Sequence, residues 1–135
     1  MHRKPNPFLA YALTLVVFGA LDAVWLTQVA APAFQAALGD TLLESPRFIA
    51  VGLFYLVYSA GVVYLAVLPG AGAAGAAIRG AVLGLVAYGT YDLSNLATLS
   101  AYTTNLAALD MAWGTVGTAI TAGVVAALSG RFGRG

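Results

Sequence analysis

Four long apolar segments constrain what this chain can fold into. They cover roughly residues 8–30, 48–68, 80–100 and 105–129. Each is long enough to cross the hydrocarbon core of a bilayer as a helix, which takes about 20 residues. Only 8% of the residues are charged, whereas soluble domains carry about 25%. A chain this short cannot hide so much apolar surface in an aqueous core, so we predict one all-α domain, 1–135, that forms a four-helix transmembrane bundle.

The basic residues predict the orientation of this bundle. With four crossings, all but one of the Lys and Arg residues fall on the same side of the membrane. Those on the shared side are Arg3, Lys4, Arg79, Arg131 and Arg134. Only Arg47 falls on the other side. Because Lys and Arg concentrate on the cytoplasmic side, we expect both termini in the cytoplasm and a multi-pass location in the bacterial inner membrane.

The connection 31–46 has a helical pattern of its own. Phe34, Ala37, Leu38 and Leu42 fall near helical spacing, with polar residues between them. This pattern predicts a short amphipathic helix that lies on the outer membrane surface. An irregular loop is the alternative, and the sequence favours neither.

Three carboxylic acids lie within the apolar segments, namely Asp22, Asp92 and Asp110. No Lys, Arg or His accompanies them there. A charged Asp near a helix centre costs on the order of 3 kcal/mol, so a proton, hydrogen-bond donors or an external cation must compensate. The helical rise of about 1.5 Å per residue places all three in the outer half of the bundle. We therefore expect at least two of their carboxyl carbons to lie within about 10 Å of each other.

The third segment holds the densest group of polar side chains. Asp92 and Asn95 are three residues apart, so a helix presents them on one face, which Tyr88 extends by one turn. We predict that Asp92 and Asn95 form the centre of a ligand-binding site. The other candidate binding residues are Asp22, Asp110, Tyr88, Tyr91, Trp25, Trp113, Tyr55 and Tyr58. Packing for the tyrosines and an interfacial belt for the tryptophans are the alternative roles.

Two of the acids share a local motif. The pattern Leu-Asp-x-x-Trp occurs at 21–25 and again at 109–113. These copies fall on helices that run in opposite directions. We interpret them as a common local solution rather than as an internal repeat.

Several kinds of chemistry are excluded or disfavoured by composition. The chain has no cysteine, and its single histidine is His2, so no thiolate or histidine metal site is predicted, and no cofactor is expected. No basic cluster is large enough to hold nucleic acid. Gly80 and Gly84 form a small-xxx-small pair that favours close helix packing, either within the chain or in a homo-oligomer. The expected partners are membrane lipid and a proton, cation or small polar ligand.

Four strings of residues together resemble a known family. They are LDAVWL, FYLVYSAG, AYGTYDLSNLAT and DMAWGT, and they span nearly the whole chain. The most specific part is Tyr-Asp-Leu-x-Asn-Leu-Ala-Thr at 91–98. Together they resemble the bacterial membrane family called domain of unknown function 2177. The resemblance implies a four-helix inner-membrane protein and supplies no activity.

Three functional hypotheses follow from these patterns. The leading one is a small transporter or binding protein with an acidic pocket in its outer half. The second is a structural or accessory subunit in which protonated Asp residues join helices. The third is a membrane enzyme that modifies lipid with paired Asp residues, although no catalytic residue is assigned. A cavity at the acids favours the first or third hypothesis, and tight packing favours the second.

Overall fold

The computed structural model describes residues 5–132, and within that range the fold is built from helices without strands. Helix α1 (Pro7–Trp25) continues through a π-helical turn (Leu26–Ala30) into α2 (Ala31–Leu38). The other helices are α3 (Phe48–Val62) with a π-helical end (Val63–Val67), α4 (Gly72–Thr98) and α5 (Thr104–Phe132). Four continuous helical stretches are long and apolar enough to cross a membrane. The predicted all-α fold with four spanning helices is therefore confirmed.

Local hydrogen bonds explain where the helices begin and reverse. Asn6 Oδ1 accepts from the backbone N–H of Phe8 at 2.9 Å, and Pro7 occupies the first helical position, where a missing N–H does no harm. The turn before α4 contains three consecutive residues with positive φ, at 70–72. Arg79 stabilises this turn, because its guanidinium donates to the Ala66 carbonyl at 3.0 Å and also to the Gly70 carbonyl.

The connection after α1 is helical over Ala31–Leu38, as the pattern of apolar residues predicts. It extends α1 instead of forming a separate element. Its apolar side packs onto the turn between α4 and α5, where the Phe34 and Tyr102 rings meet edge to face at 6.0 Å. The predicted location of this helix on the membrane surface stays a prediction.

Helices α4 and α5 make the most extensive contact in the bundle. Gly80 and Gly84 are both buried at this crossing. A Cβ on Gly80 would lie 2.7 Å from the Thr118 carbonyl oxygen, and a Cβ on Gly84 would overlap the backbone of Gly114. The small-residue pair therefore serves close packing within the chain. The predicted homo-oligomer, through Gly80 and Gly84 or through other small-residue faces, stays a prediction, although α5 occupies the face of this pair within the chain.

Helix α3 is placed differently from the other spans. It packs along α1, and this span meets α4 mainly through its π-helical end Val63–Val67. The N-terminal half of α3 thus diverges from the C-terminal half of α4. This divergence leaves a cleft in the half of the bundle nearer residues 31–46.

The orientation of the bundle stays a prediction, and three of the basic residues on which it rests, Arg3, Lys4 and Arg134, lie outside the described residues. Reporter fusions at 36–42 and after Gly135 test it. We expect a periplasmic signal from the first fusion and a cytoplasmic signal from the second, because the basic residues gather at the terminal side. A cytoplasmic signal from 36–42 would contradict the predicted topology.

Candidate functional site

Asp22 joins three helices through its carboxyl group. It is 4% exposed. Its Oδ2 accepts a hydrogen bond from the Tyr55 hydroxyl at 2.5 Å, and its Oδ1 accepts one from Trp113 Nε1 at 3.1 Å. The partners come from α3 and α5, so neutral donors stabilise this carboxyl in place of a basic side chain. Among residues 5–132, no ion pair to Asp22 is formed.

The two Leu-Asp-x-x-Trp motifs meet across α1 and α5. The Trp25 and Trp113 rings stack with centroids 5.2 Å apart and planes inclined by 8°. Trp113 donates to Asp22, and Trp25 in turn adjoins Asp110. In each motif the acid and the tryptophan lie one helical turn apart on the same face. Because the two helices are antiparallel, the tryptophan of each motif lies beside the acid of the other. The motif is therefore an interhelical contact. The interfacial-belt role for these two tryptophans stays an alternative.

Asp92 is fully buried and only half satisfied. Its Oδ1 accepts from the Tyr102 hydroxyl at 2.5 Å. Its Oδ2 has no hydrogen-bond partner among the described residues. Burial and, next, the hydrogen bond to Asp92 raise the pKa of Tyr102, so this phenol remains a neutral donor.

Asp110 brings the acids together. It is 7% exposed, and its carboxyl group adjoins that of Asp92 and the indole of Trp25. Neither contact is a well-formed hydrogen bond, since Asp92 Oδ2 and Trp25 Nε1 both lack a partner with suitable geometry. Asp22 is also within electrostatic range of Asp110. The three acids thus form one group, with Asp92 and Asp110 in direct proximity.

The cleft between α3 and α4 has a volume of about 860 Å³. Its walls are mainly apolar and aromatic, and its two acidic groups are Asp22 and Asp110. The apolar part of the wall includes Leu26, Phe34, Leu42, Phe48, Val51 and Phe54. A cleft of this kind can hold a ligand that has an apolar body and a positively charged or hydrogen-bond-donating end.

The structure divides the candidate binding residues into two groups. Those that line the cleft are Asp22, Trp25, Tyr55, Tyr58, Tyr88, Tyr91 and Asp110. Asp92, Asn95 and Trp113 do not line it. Asn95 instead lies beside the hydroxyls of Tyr91 and Tyr102. The Asp92 and Asn95 face that was predicted as the centre of the site therefore lies behind the wall of the cleft, and the acids that line the cleft are Asp22 and Asp110.

Aromatic packing holds in place the tyrosine wall of the cleft, which is formed by Tyr55, Tyr58 and Tyr88. Phe18 is fully buried and contacts the rings of Tyr55 and Tyr58 at centroid distances of 6.1 and 5.1 Å. The Tyr58 hydroxyl shares a hydrogen bond with Thr118 Oγ1 at 2.7 Å. Tyr88 packs its ring where a Cβ on Gly114 would be. Gly114 is thus required for the close approach of Tyr88, and the wall is ordered by packing before any ligand binds.

Tyr102 is the site residue that sequence reasoning missed. It lies in the turn between α4 and α5, ten positions after Asp92 along the chain. The available signal is that it is the one large side chain in the turn 100–103, where small or polar residues suffice. Depth in the membrane alone would not indicate that its hydroxyl reaches back to Asp92.

The described residues contain no group of three or more His, Cys, Asp or Glu side chains arranged to hold a metal ion. Four apolar helices around a carboxyl-bearing cleft define a multi-pass membrane protein. The chain belongs to the family described as predicted membrane protein DUF2177, which matches residues 7–127. No curated protein and no solved structure shows significant similarity to the chain.

Proposed function

We propose that the chain is a binding protein or transporter of the bacterial inner membrane, and that its ligand carries a positive charge or hydrogen-bond donors. The observation that carries this proposal is the cleft of about 860 Å³ that places Asp22 and Asp110 among apolar and aromatic walls. Acids that serve only as interhelical contacts are expected to be tightly packed, with no cavity beside them. The cleft faces the predicted outer half of the membrane.

The charge balance of the site supports a cationic ligand. The nearest described guanidinium along α4, that of Arg79, is engaged with the backbone carbonyls of Ala66 and Gly70. No Lys, Arg or His side chain within the described spans contacts the acids. A cation in the cleft would supply the missing positive charge in a medium where charge pairing is strong.

The aromatic walls suit the same class of ligand. Tyr55, Tyr58, Tyr88 and Tyr91 all line the cleft, and the Tyr58 and Tyr88 rings meet edge to face at 6.0 Å. Ring faces attract cations within about 6 Å of their centroids. Carboxyl groups and aromatic rings that line the same cleft therefore favour an organic cation over a hydrated metal ion.

Binding of tetraphenylphosphonium to the purified protein tests this proposal. We expect saturable binding of this lipophilic cation, and no binding of tetraphenylborate, which has the same shape and the opposite charge. Asp110→Asn should weaken cation binding at least tenfold, which corresponds to about 1.4 kcal/mol. The matched control is Asp40→Asn, which makes the same change at an exposed residue outside the cleft. Equal binding of both ions, or an unaltered affinity in Asp110→Asn, would contradict the proposal.

A structural or accessory role is the second candidate, and one observation favours it. The Asp22 carboxyl ties α1 to α3 and α5 through two hydrogen bonds, as an interhelical contact would. In that case Asp22→Asn should preserve both stability and function, because an amide keeps the hydrogen bonds. Complementation of a deletion strain by this variant, with thermal stability measured in parallel, separates the two roles.

A further inference from the structure

We propose that Asp92 and Asp110 share one proton, and that a cation entering the cleft displaces it. The ligand would then exchange for a proton with no net change of charge in the membrane. This inference rests on the proposed binding function and adds a second ion to it. It also gives a role to Asp92, which does not line the cleft and so cannot contact the ligand directly.

The first argument is the unsatisfied oxygen of Asp92. Asp92 is 0% exposed, and its Oδ1 is occupied by the Tyr102 hydroxyl. Its Oδ2 has no donor within residues 5–132, and the Asp110 carboxyl group adjoins the Asp92 carboxyl group. Two carboxylates at such close range repel each other strongly, and a proton held between them removes the repulsion. That proton also supplies the donor that Oδ2 lacks.

The second argument is the identity of the groups around the pair. Every titratable or polar group that faces it from the packed helices is an acid, a phenol, an indole or an amide. These groups are Asp22 and Trp25 from the first span, Tyr88, Tyr91 and Asn95 from α4, and Tyr102 from the turn before α5. None carries a positive charge. The compensating charge must therefore come from water, and we assign it to a proton, which a carboxyl group binds directly.

The third argument links the pair to the cleft. Asp110 lines the cleft and Asp92 does not, so a cation reaches the pair through Asp110 alone. Its charge stabilises the ionised form of both carboxyls, and the shared proton leaves to the aqueous phase. The Tyr102 hydroxyl connects Asp92 with the turn between α4 and α5, which is the nearer end of the bundle.

Proton counting during tetraphenylphosphonium binding tests the exchange. This probe does not titrate, so any released proton comes from the protein. In weakly buffered solution we expect about one proton released per cation bound, and affinity that rises about tenfold per pH unit while the pair is protonated. The infrared band of a protonated carboxyl should disappear on binding. Asp92→Asn should still bind the cation, with little proton release and a flat pH profile.

Two further variants keep the test decisive. Asp22→Asn leaves the pair intact, so it should bind more weakly and still release about one proton per cation. Tyr102→Phe keeps both carboxyls, and it should also retain the release. If Asp92→Asn does not fold, the band and the release in the unmodified protein still decide the matter. Cation binding without proton release would overturn the exchange and leave the binding function standing, whereas absence of binding at every pH would overturn the binding function itself.

Discussion

Gly84→Ala is expected to destabilise the protein by about 3 kcal/mol or more. The added Cβ would overlap the Gly114 carbonyl oxygen and lie 2.9 Å from Thr118 Oγ1. A backbone atom cannot swing aside as a flexible side chain does, so α4 and α5 must separate along their whole contact. Overpacking usually costs about 1–3 kcal/mol, and rigid backbone obstacles fall at or above the top of that range. Thermal unfolding in detergent measures the effect.

The matched control for this substitution is Gly61→Ala on α3. No heavy atom outside its local helix lies within 4 Å of the position where that Cβ would be. Alanine is favoured over glycine in a helix interior by up to about 1 kcal/mol, so this variant should be unchanged or slightly more stable. Similar melting temperatures for the two variants would show that the α4–α5 crossing does not depend on a glycine at 84.

The second large effect is expected from Asp22→Ala. The substitution removes the acceptor for both the Tyr55 hydroxyl and Trp113 Nε1, and it leaves a small cavity where α1, α3 and α5 meet. Two unsatisfied donors and the cavity together should destabilise the protein by about 2 kcal/mol. The change should be measurable as a lower unfolding temperature, with weaker tetraphenylphosphonium binding in the same preparation.

The comparison with Asp22→Asn separates stability from ligand recognition. Asparagine keeps the size and can accept from Trp113 and donate to Tyr55, so its unfolding temperature should remain near that of the unmodified protein. Its affinity for the cation should nevertheless fall, because the amide cannot ionise. Equal losses of stability in the Ala and Asn variants would contradict the hydrogen-bonding role assigned to Asp22.

The sequence was sufficient to predict the number and kind of helices. Their length and apolar composition follow from the thickness of the bilayer and from the need to satisfy every backbone N–H within lipid. The continuity of α1 with α2 was not predictable in the same way. A π-helical turn at Leu26–Ala30 carries the helix onward into α2, whose apolar side packs against residues far along the chain.

In the candidate site, too, some features were predictable from the sequence and others were not. Depth and periodicity placed Asp22, Asp92 and Asp110 at one height, because helical rise and angle are fixed by the backbone. Which acid lines a cleft depends on how far two helices diverge, and that is decided by side chains distant in sequence.

What the sequence by itself determined is thus a four-helix membrane protein with three acids in one half of its spans. Only the tertiary structure decided the rest. Gly84 packs against Gly114, so α4 and α5 lie in close contact. Helix α3 packs along α1 instead, and this leaves the cleft between α3 and α4. The tertiary structure also places the Tyr102 hydroxyl against Asp92 and brings the two Leu-Asp-x-x-Trp motifs into contact. These contacts join residues far apart along the chain, and local periodicity contains no information about such pairings.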